Sequence, residues 1–442
     1  MVKERLAKDN ITLSKGLILA IQHLFAMFGS TVLVPTLTGL NPAVALFTSG
    51  VGTLIFHLIT KGQVPAYLGS SFAFIGPIIA AQEGYGLPAA LLGCFVAGLI
   101  YIVMSAVIHK IGTDFIDNYL PPVVVGPVIM TIGLGLAPVA KDMAMTHLPT
   151  AIFTLAVTIG VSVLGRGIFK VIPILLGIIS GYIFASFNGL VDLSAVKAAS
   201  WFALPEFNSI FALDSWGAGI SAIALIAPVA IVTMVEHLGD VLALSKTVNK
   251  NFIEEPGLHR TLLGDGVATA FASLAGGPPN TTYGENIGVL ALTGVHNPVI
   301  VEMAAVIVLA MSFIQKIGAL IQTIPQAVMG GIVILLFGMI ASIGLRTLID
   351  NKVDLSINRN LVIVSTILVI GISGIPLTID FIAISKFLHL DNVAIIQTIV
   401  NQIKVLEFQG MGLAAMVGIA LNILLPRIKK SSNKKVKRED VA

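Results

Sequence analysis

Charge is what this sequence has least of. Only 11% of its 442 residues are Asp, Glu, Lys or Arg, where a soluble protein carries about 25%. A chain this poor in polar surface cannot cover a large soluble body, which excludes a soluble enzyme. A net charge of +3 makes no basic face for nucleic acid, and no nucleic-acid partner is expected. A single cysteine, Cys94, excludes a disulfide framework and a cysteine metal site. No HExxH-type spacing occurs, so neither a metal nor another cofactor is expected. The charged start MVKERLAKDN and the missing small-residue cleavage site argue against a secretory leader.

Apolar residues dominate instead. They make up 56% of the chain, and the mean hydropathy is +0.96. The class expected is an all-α polytopic membrane protein. Fourteen hydrophobic segments are read, near 15–34, 42–60, 64–82, 88–109, 122–140, 150–165, 170–188, 217–243, 258–275, 278–294, 298–315, 325–345, 359–376 and 409–426. The third and tenth are interrupted by Gly, Pro or Ser and read as broken helices with short extended stretches. With 43 Gly and 20 Pro, close helix packing and further breaks are expected.

The bases are unevenly spread. With fourteen spans and both ends cytoplasmic, 21 of the 26 bases fall on the inside and 5 outside, as the positive-inside rule requires. Thirteen spans would spoil that split. The tail RIKKSSNKKVKR reads as a cytoplasmic topology anchor.

Gln22-His23-Leu24 recurs as Glu236-His237-Leu238, 214 residues on. The same offset carries Asn41-Pro42 onto Glu255-Pro256, Gly52 onto Gly266 and Pro65 onto Pro279. Several matches in order point to two homologous halves of seven spans. Seven is odd, so the second half must cross inverted, the arrangement of many secondary transporters. Such folds hold substrate at the midplane between broken helices, here VPAYLGSSFAFIGP and GGPPNTTYGENIGVL. The offset sets Ser71 against Glu285 and Phe72 against Asn286.

Acids at the bilayer centre cost a few kcal/mol and mark function. Glu236, Asp240, Asp265 and Glu285 fall in segments eight to ten, and Glu302 lies nearer an interface. Glu236 and Asp240 share a helix face, where like charges repel. Such a pair suits proton coupling, or is a buried acid pair bonded to neighbouring helices. A half-helix is expected near Gly284, setting Glu285 beside free N–H groups; a plain N-cap is the alternative. Ser70, Ser71 and Phe72 would start the mirror-image half-helix. Asp265 is expected to orient the tenth segment. His23 reads equally as a ligand or a satisfied hydrogen-bonder, His237 as structural.

The run Glu285-Asn286-Ile287-Gly288-Val289-Leu290-Ala291-Leu292-Thr293-Gly294 resembles the signature of the nucleobase–ascorbate transporter family. Glu236-His237-Leu238-Gly239-Asp240, Gln22-His23 and Gly69-Ser70-Ser71-Phe72-Ala73-Phe74 are similar to its eighth-, first- and third-span motifs. The likeness covers essentially the whole chain, and within the family it resembles the bacterial uracil permeases. It implies fourteen spans in two inverted sets of seven. It implies a core domain from residues 1–120 and 215–320, and a gate domain from 121–190 and 321–426, with a basic tail at 427–442. It implies a cell-membrane homodimer that takes up uracil with protons. Glu236 and Glu285 would bind the base, with Ser71 and the backbone at Phe72 and Gly284. Glu236, Asp240 and His23 would couple the proton, supported by Asp265 and Asn286. The chemistry agrees, because two carboxylates can accept the N–H groups of uracil while half-helix N–H groups meet its carbonyls. One position departs: uracil carriers have His where this chain has Asp240. That leaves xanthine, guanine or another nucleobase as the alternative substrate. An anion carrier of the same fold is disfavoured by the facing carboxylates.

Overall fold

The computed structural model describes residues 2–7, 9, 11–112, 119–387 and 405–426. The basic tail 427–442 and Lys404 lie outside the described residues. The helices run, in chain order, α1 (Val2–Ala7), α2 (Leu13–Thr38), α3 (Pro42–Ile59), α4 (Ile75–Tyr85), α5 (Leu87–Ile111), α6 (Pro122–Gly135), α7 (Ala137–Met145), α8 (Leu148–Leu164), α9 (Pro173–Phe187) and α10 (Ser194–Ala198). They continue with α11 (Trp216–Ile226), α12 (Val229–Val248), α13 (Leu258–Leu274), α14 (Gly284–Thr293), α15 (Pro298–Ser312), α16 (Gln315–Gln322), α17 (Gln326–Asp350), α18 (Asn358–Ser373), α19 (Phe381–Phe387) and α20 (Gly410–Leu424). Strands β1 (Leu68–Ser70), β2 (Asn280–Thr282), β3 (Leu377–Asp380) and β4 (Val405–Phe408) complete the order. The fold is therefore helical, as the apolar runs dictate, since a helix satisfies its own backbone where no water can.

Six stretches are long and apolar enough to cross a membrane: Leu13–Thr38, Pro42–Ile59, Leu87–Ile111, Pro122–Met145, Trp216–Val248 and Gln326–Asp350. Shorter apolar helices lie at Leu148–Leu164, Pro173–Phe187, Pro298–Ser312, Asn358–Ser373 and Gly410–Leu424. Local chemistry sets several starts. Asn41 caps α3 by accepting from the Ala43 and Val44 N–H groups, and Asn297 caps α15 through Val299 N–H, each followed by proline at the first helical position.

The packing falls into neighbouring groups. Helix α13 lies against α5 and α3, α15 against α3, and α11 against α5. Helix α17 packs on α6, α7 and α8, while α18 packs on α20 and α6. Small residues make the close crossings. A Cβ on Gly98 would meet Ala270 N at 2.6 Å, and one on Gly344 would meet Met130 N at 2.6 Å. Glycine at such crossings lets backbones touch, which drives helix association in lipid.

The two interrupted segments cross each other. Pro65 and Pro278-Pro279 stop helix formation, so the chain stays extended there and then starts α4 and α14. Strands β1 and β2 pair antiparallel, Leu68 with Thr282, Gly69 with Thr281 and Ser70 with Asn280. Two bonds extend the pairing, Ser71 N–H to the Pro279 carbonyl (2.9 Å) and Tyr283 N–H to the Tyr67 carbonyl (3.0 Å). The strands end at Ser70 and Thr282, and the caps that follow are Ser71 and Tyr283. Matching strand ends thus sets Ser71 against Tyr283 and Phe72 against Gly284, two residues off the offset read from sequence.

Candidate substrate site

The site is assembled where the two half-helices begin. Phe72 opens the short 3-10 turn Phe72–Phe74 that leads into α4, and Gly284 opens α14. First-turn N–H groups of a helix lack intrahelical partners and carry the positive end of its dipole. Helix α12 passes beside them with Glu236 and Asp240 four residues apart. Together they line a cavity of about 410 Å³ with Glu285, Thr282 and Gly288. That volume is within the range of small-molecule sites. The opposite wall is mostly aliphatic, from Ile172 and Ile174 and from Ile332, Leu336 and Met339 of α17.

Each acid is held differently. Ser30 on α2 donates from Oγ to Glu285 Oε1 at 2.6 Å. Thr282 donates from Oγ1 to Asp240 Oδ2 at 3.1 Å. Among the described residues none donates a hydrogen bond to Glu236, so its carboxylate is available to a ligand. Lys170 is the one basic side chain on the cavity wall among the described residues. Three acids around one cavity make it strongly attractive to N–H donors and protons.

The remaining candidate residues lie behind this wall. Asp265 is fully buried on α13, with Oδ2 3.1 Å from His237 Nδ1. His237 Nδ1 is also 3.4 Å from Thr282 Oγ1. Asp265, read from sequence as orienting the tenth segment, meets His237 of the eighth, and the His237 ring in turn lies beside Thr282 of the tenth. Asn286 Nδ2 donates to the His23 carbonyl (3.1 Å) and lies 3.0 Å from His23 Nδ1. His23 thus ties α2 to α14 and does not line the cavity. Ser71 does not line it either; its hydroxyl is buried without a hydrogen-bond partner among the described residues. Glu302 stands apart, bound by Arg5 through two bonds of 2.8 and 2.9 Å, with His57 Nδ1 at 3.5 Å. Cys94 is buried as a free thiol.

Sequence reasoning passed over Ser30, Thr282 and Tyr283. Ser30 lies seven residues after His23, two turns on and on the same helix face, which is the signal that pointed to it. Tyr283 bridges the crossing, donating from Oη to the Ser70 carbonyl at 2.9 Å and lying 3.3 Å from Thr31 Oγ1.

The comparisons with known proteins follow this geometry. The Permease family matches residues 14–379. The chain is 52% identical over 428 residues to the uracil permease of Bacillus caldolyticus, covering 95% of this chain and 94% of that protein. It is 40% identical over 421 residues to the uracil permease of Escherichia coli strain K12, covering 93% and 91%. In fold it is similar to the transmembrane domain of the cyanobacterial bicarbonate transporter BicA, with a TM-score of 0.56 at 14% identity, over 77% of this chain and 96% of that one.

Proposed function

The chain belongs to the Permease family matched over residues 14–379, and on that premise we propose that it takes up uracil together with protons by alternating access. It is a multi-pass membrane transporter, with relatives named uracil permease along almost its whole length. The observation that carries the reading is the pair Glu236 and Glu285, facing one cavity at the openings of two half-helices. The carboxylates accept the N–H groups of the base. The N–H groups at Phe72 and Gly284 donate to its carbonyls. Ser71 supports that turn.

The proton cycle rests on charge. Facing outward, Glu236 takes a proton, with Asp240 as its partner and His23 behind Asn286. Uracil then binds against the neutralised site, because an uncompensated charge crosses the membrane only at high cost. Residues 1–120 and 215–320 form the moving core, and 121–190 and 321–426 the gate. Fourteen spans in two inverted sets of seven place both ends in the cytoplasm of a cell-membrane homodimer. Asp265 holds His237, and Asn286 holds α14 to α2.

The test is uptake of labelled uracil into proteoliposomes under an imposed pH gradient. Glu236→Gln is expected to abolish accumulation against the gradient; undiminished accumulation overturns the assignment. A second reading, a purine base, draws on Asp240 and on a cavity of about 410 Å³, roomy for one pyrimidine. Competition by xanthine and guanine in the same assay separates the two.

A further inference from the structure

Both tryptophans of the chain are exposed, Trp201 (66%) in the connection from α10 to α11 and Trp216 (68%) at the first position of α11, where that connection ends. Phe202, Leu204, Phe207 and Phe211 of the same connection are exposed as well, Phe211 at 83%. So large an apolar patch in water is rare and marks a partner surface. The connection is not loose. Ala203 N–H donates to the Phe313 carbonyl (3.1 Å), and Phe202 forms an isolated bridge with Ile314. Gln315 Nε2 donates to the Leu204 carbonyl (3.0 Å), and Lys316 Nζ to the Val196 carbonyl (2.8 Å). Inward, Ile210 is buried with Leu40 and Leu91, and Phe207 packs edge-on against Phe47. The chain is thus pinned as a shelf across the helix ends by Phe207 and Ile210, with Trp201, Phe202, Phe211 and Trp216 left exposed.

We propose that this shelf is an in-plane anchor seated in the headgroup region of one leaflet. Its partner is the bilayer interface and not a second protein surface. The shelf is bonded to the end of α15 and to α16, which expose Val306 and Leu320. Its apolar strip therefore continues the lipid-facing surface of the transporter. Trp is enriched at membrane interfaces because its ring is apolar while its N–H seeks water. Lys316 lies 5.4 Å from the Trp201 ring centroid, and Lys197 stands exposed on α10, cations suited to the headgroup level. A shelf fixed there gives the helix ends around it a constant depth while other parts of the transporter move.

The two tryptophans make the test direct, because all the intrinsic tryptophan emission comes from this shelf. The full-length protein is reconstituted into phosphatidylcholine–phosphatidylglycerol vesicles carrying bromine at shallow or deep acyl positions. The expected result is a loss of emission that is greatest with shallow bromine and smaller with deep bromine. Trp201→Phe and Trp216→Phe, one at a time, assign the loss to each ring. Free quenching by iodide with no effect of brominated lipid would place the shelf in water and overturn the proposal. Quenching by neither would mean burial against protein, such as a second copy, and also overturns it. Strongest quenching by deep bromine overturns the interfacial depth.

Discussion

Replacing Ser30 by Ala removes one hydroxyl from a fully buried position on α2 and leaves Glu285 Oε1 without its 2.6 Å donor. A hydrogen bond to a charged group contributes about 1.5–3 kcal/mol, and that loss falls on the folded protein with or without ligand. The effect on binding is smaller and separable. Ser30 occupies one carboxylate oxygen and leaves the other to the base, so its work in recognition is to hold the side chain in place. Immobilising one flexible side chain on binding costs about 0.5–1.5 kcal/mol, which at RT of about 0.59 kcal/mol is roughly a 2- to 13-fold loss of affinity. The assay is equilibrium binding of labelled uracil to purified protein, with the ligand-free thermal midpoint measured alongside. Ser30→Ala should weaken binding within that range and lower the midpoint, and Ser30→Thr, which returns the hydroxyl, should recover affinity. An affinity equal to wild type in Ser30→Ala would refute the orienting role, whatever the midpoint does.

Two further perturbations address the crossing and the acid pair. Gly69→Ala would drive a Cβ into the Tyr283 ring, 2.5 Å from Cε2 and 2.7 Å from Oη. Overpacking of about 1–3 kcal/mol should lower the thermal midpoint and weaken uracil binding together, and a variant unchanged in both would show that the crossing tolerates movement. Asp240→Asn keeps an acceptor for Thr282 but cannot carry a proton, so uracil binding should stay within a few-fold while the pH dependence of uptake changes. An identical pH profile would remove Asp240 from the coupling step.

Much of the fold was legible because lipid offers the backbone no hydrogen-bond partner. Each apolar run near twenty residues therefore had to become a helix, and α3 at Pro42–Ile59 and α13 at Leu258–Leu274 match their predicted segments to within a residue or two. The breaks were legible for the same reason inverted: Pro65 and Pro278-Pro279 remove N–H groups, so the chain beyond them is extended until Phe72 and Gly284. Glu236, Asp240 and Glu285 stood out because charge is scarce, and the structure gathers all three on one cavity. Thr282 and the aliphatic wall of α17 could not stand out, since threonine and leucine are ordinary residues in such a chain, and Ser30 carried only its two-turn spacing from His23.

The amino-acid sequence by itself determined the class, the helical segments, the position of the two breaks and the acids worth watching. These follow from local composition, which the membrane reads residue by residue. Tertiary structure alone decided that β1 pairs with β2, that Asp265 turns to His237 and His23 to Asn286, and that Ser30 reaches Glu285 across 255 positions. Hydrogen bonds are directional and short, so a partner is chosen by where two segments meet in space, and nothing in their separation along the chain sets that meeting point.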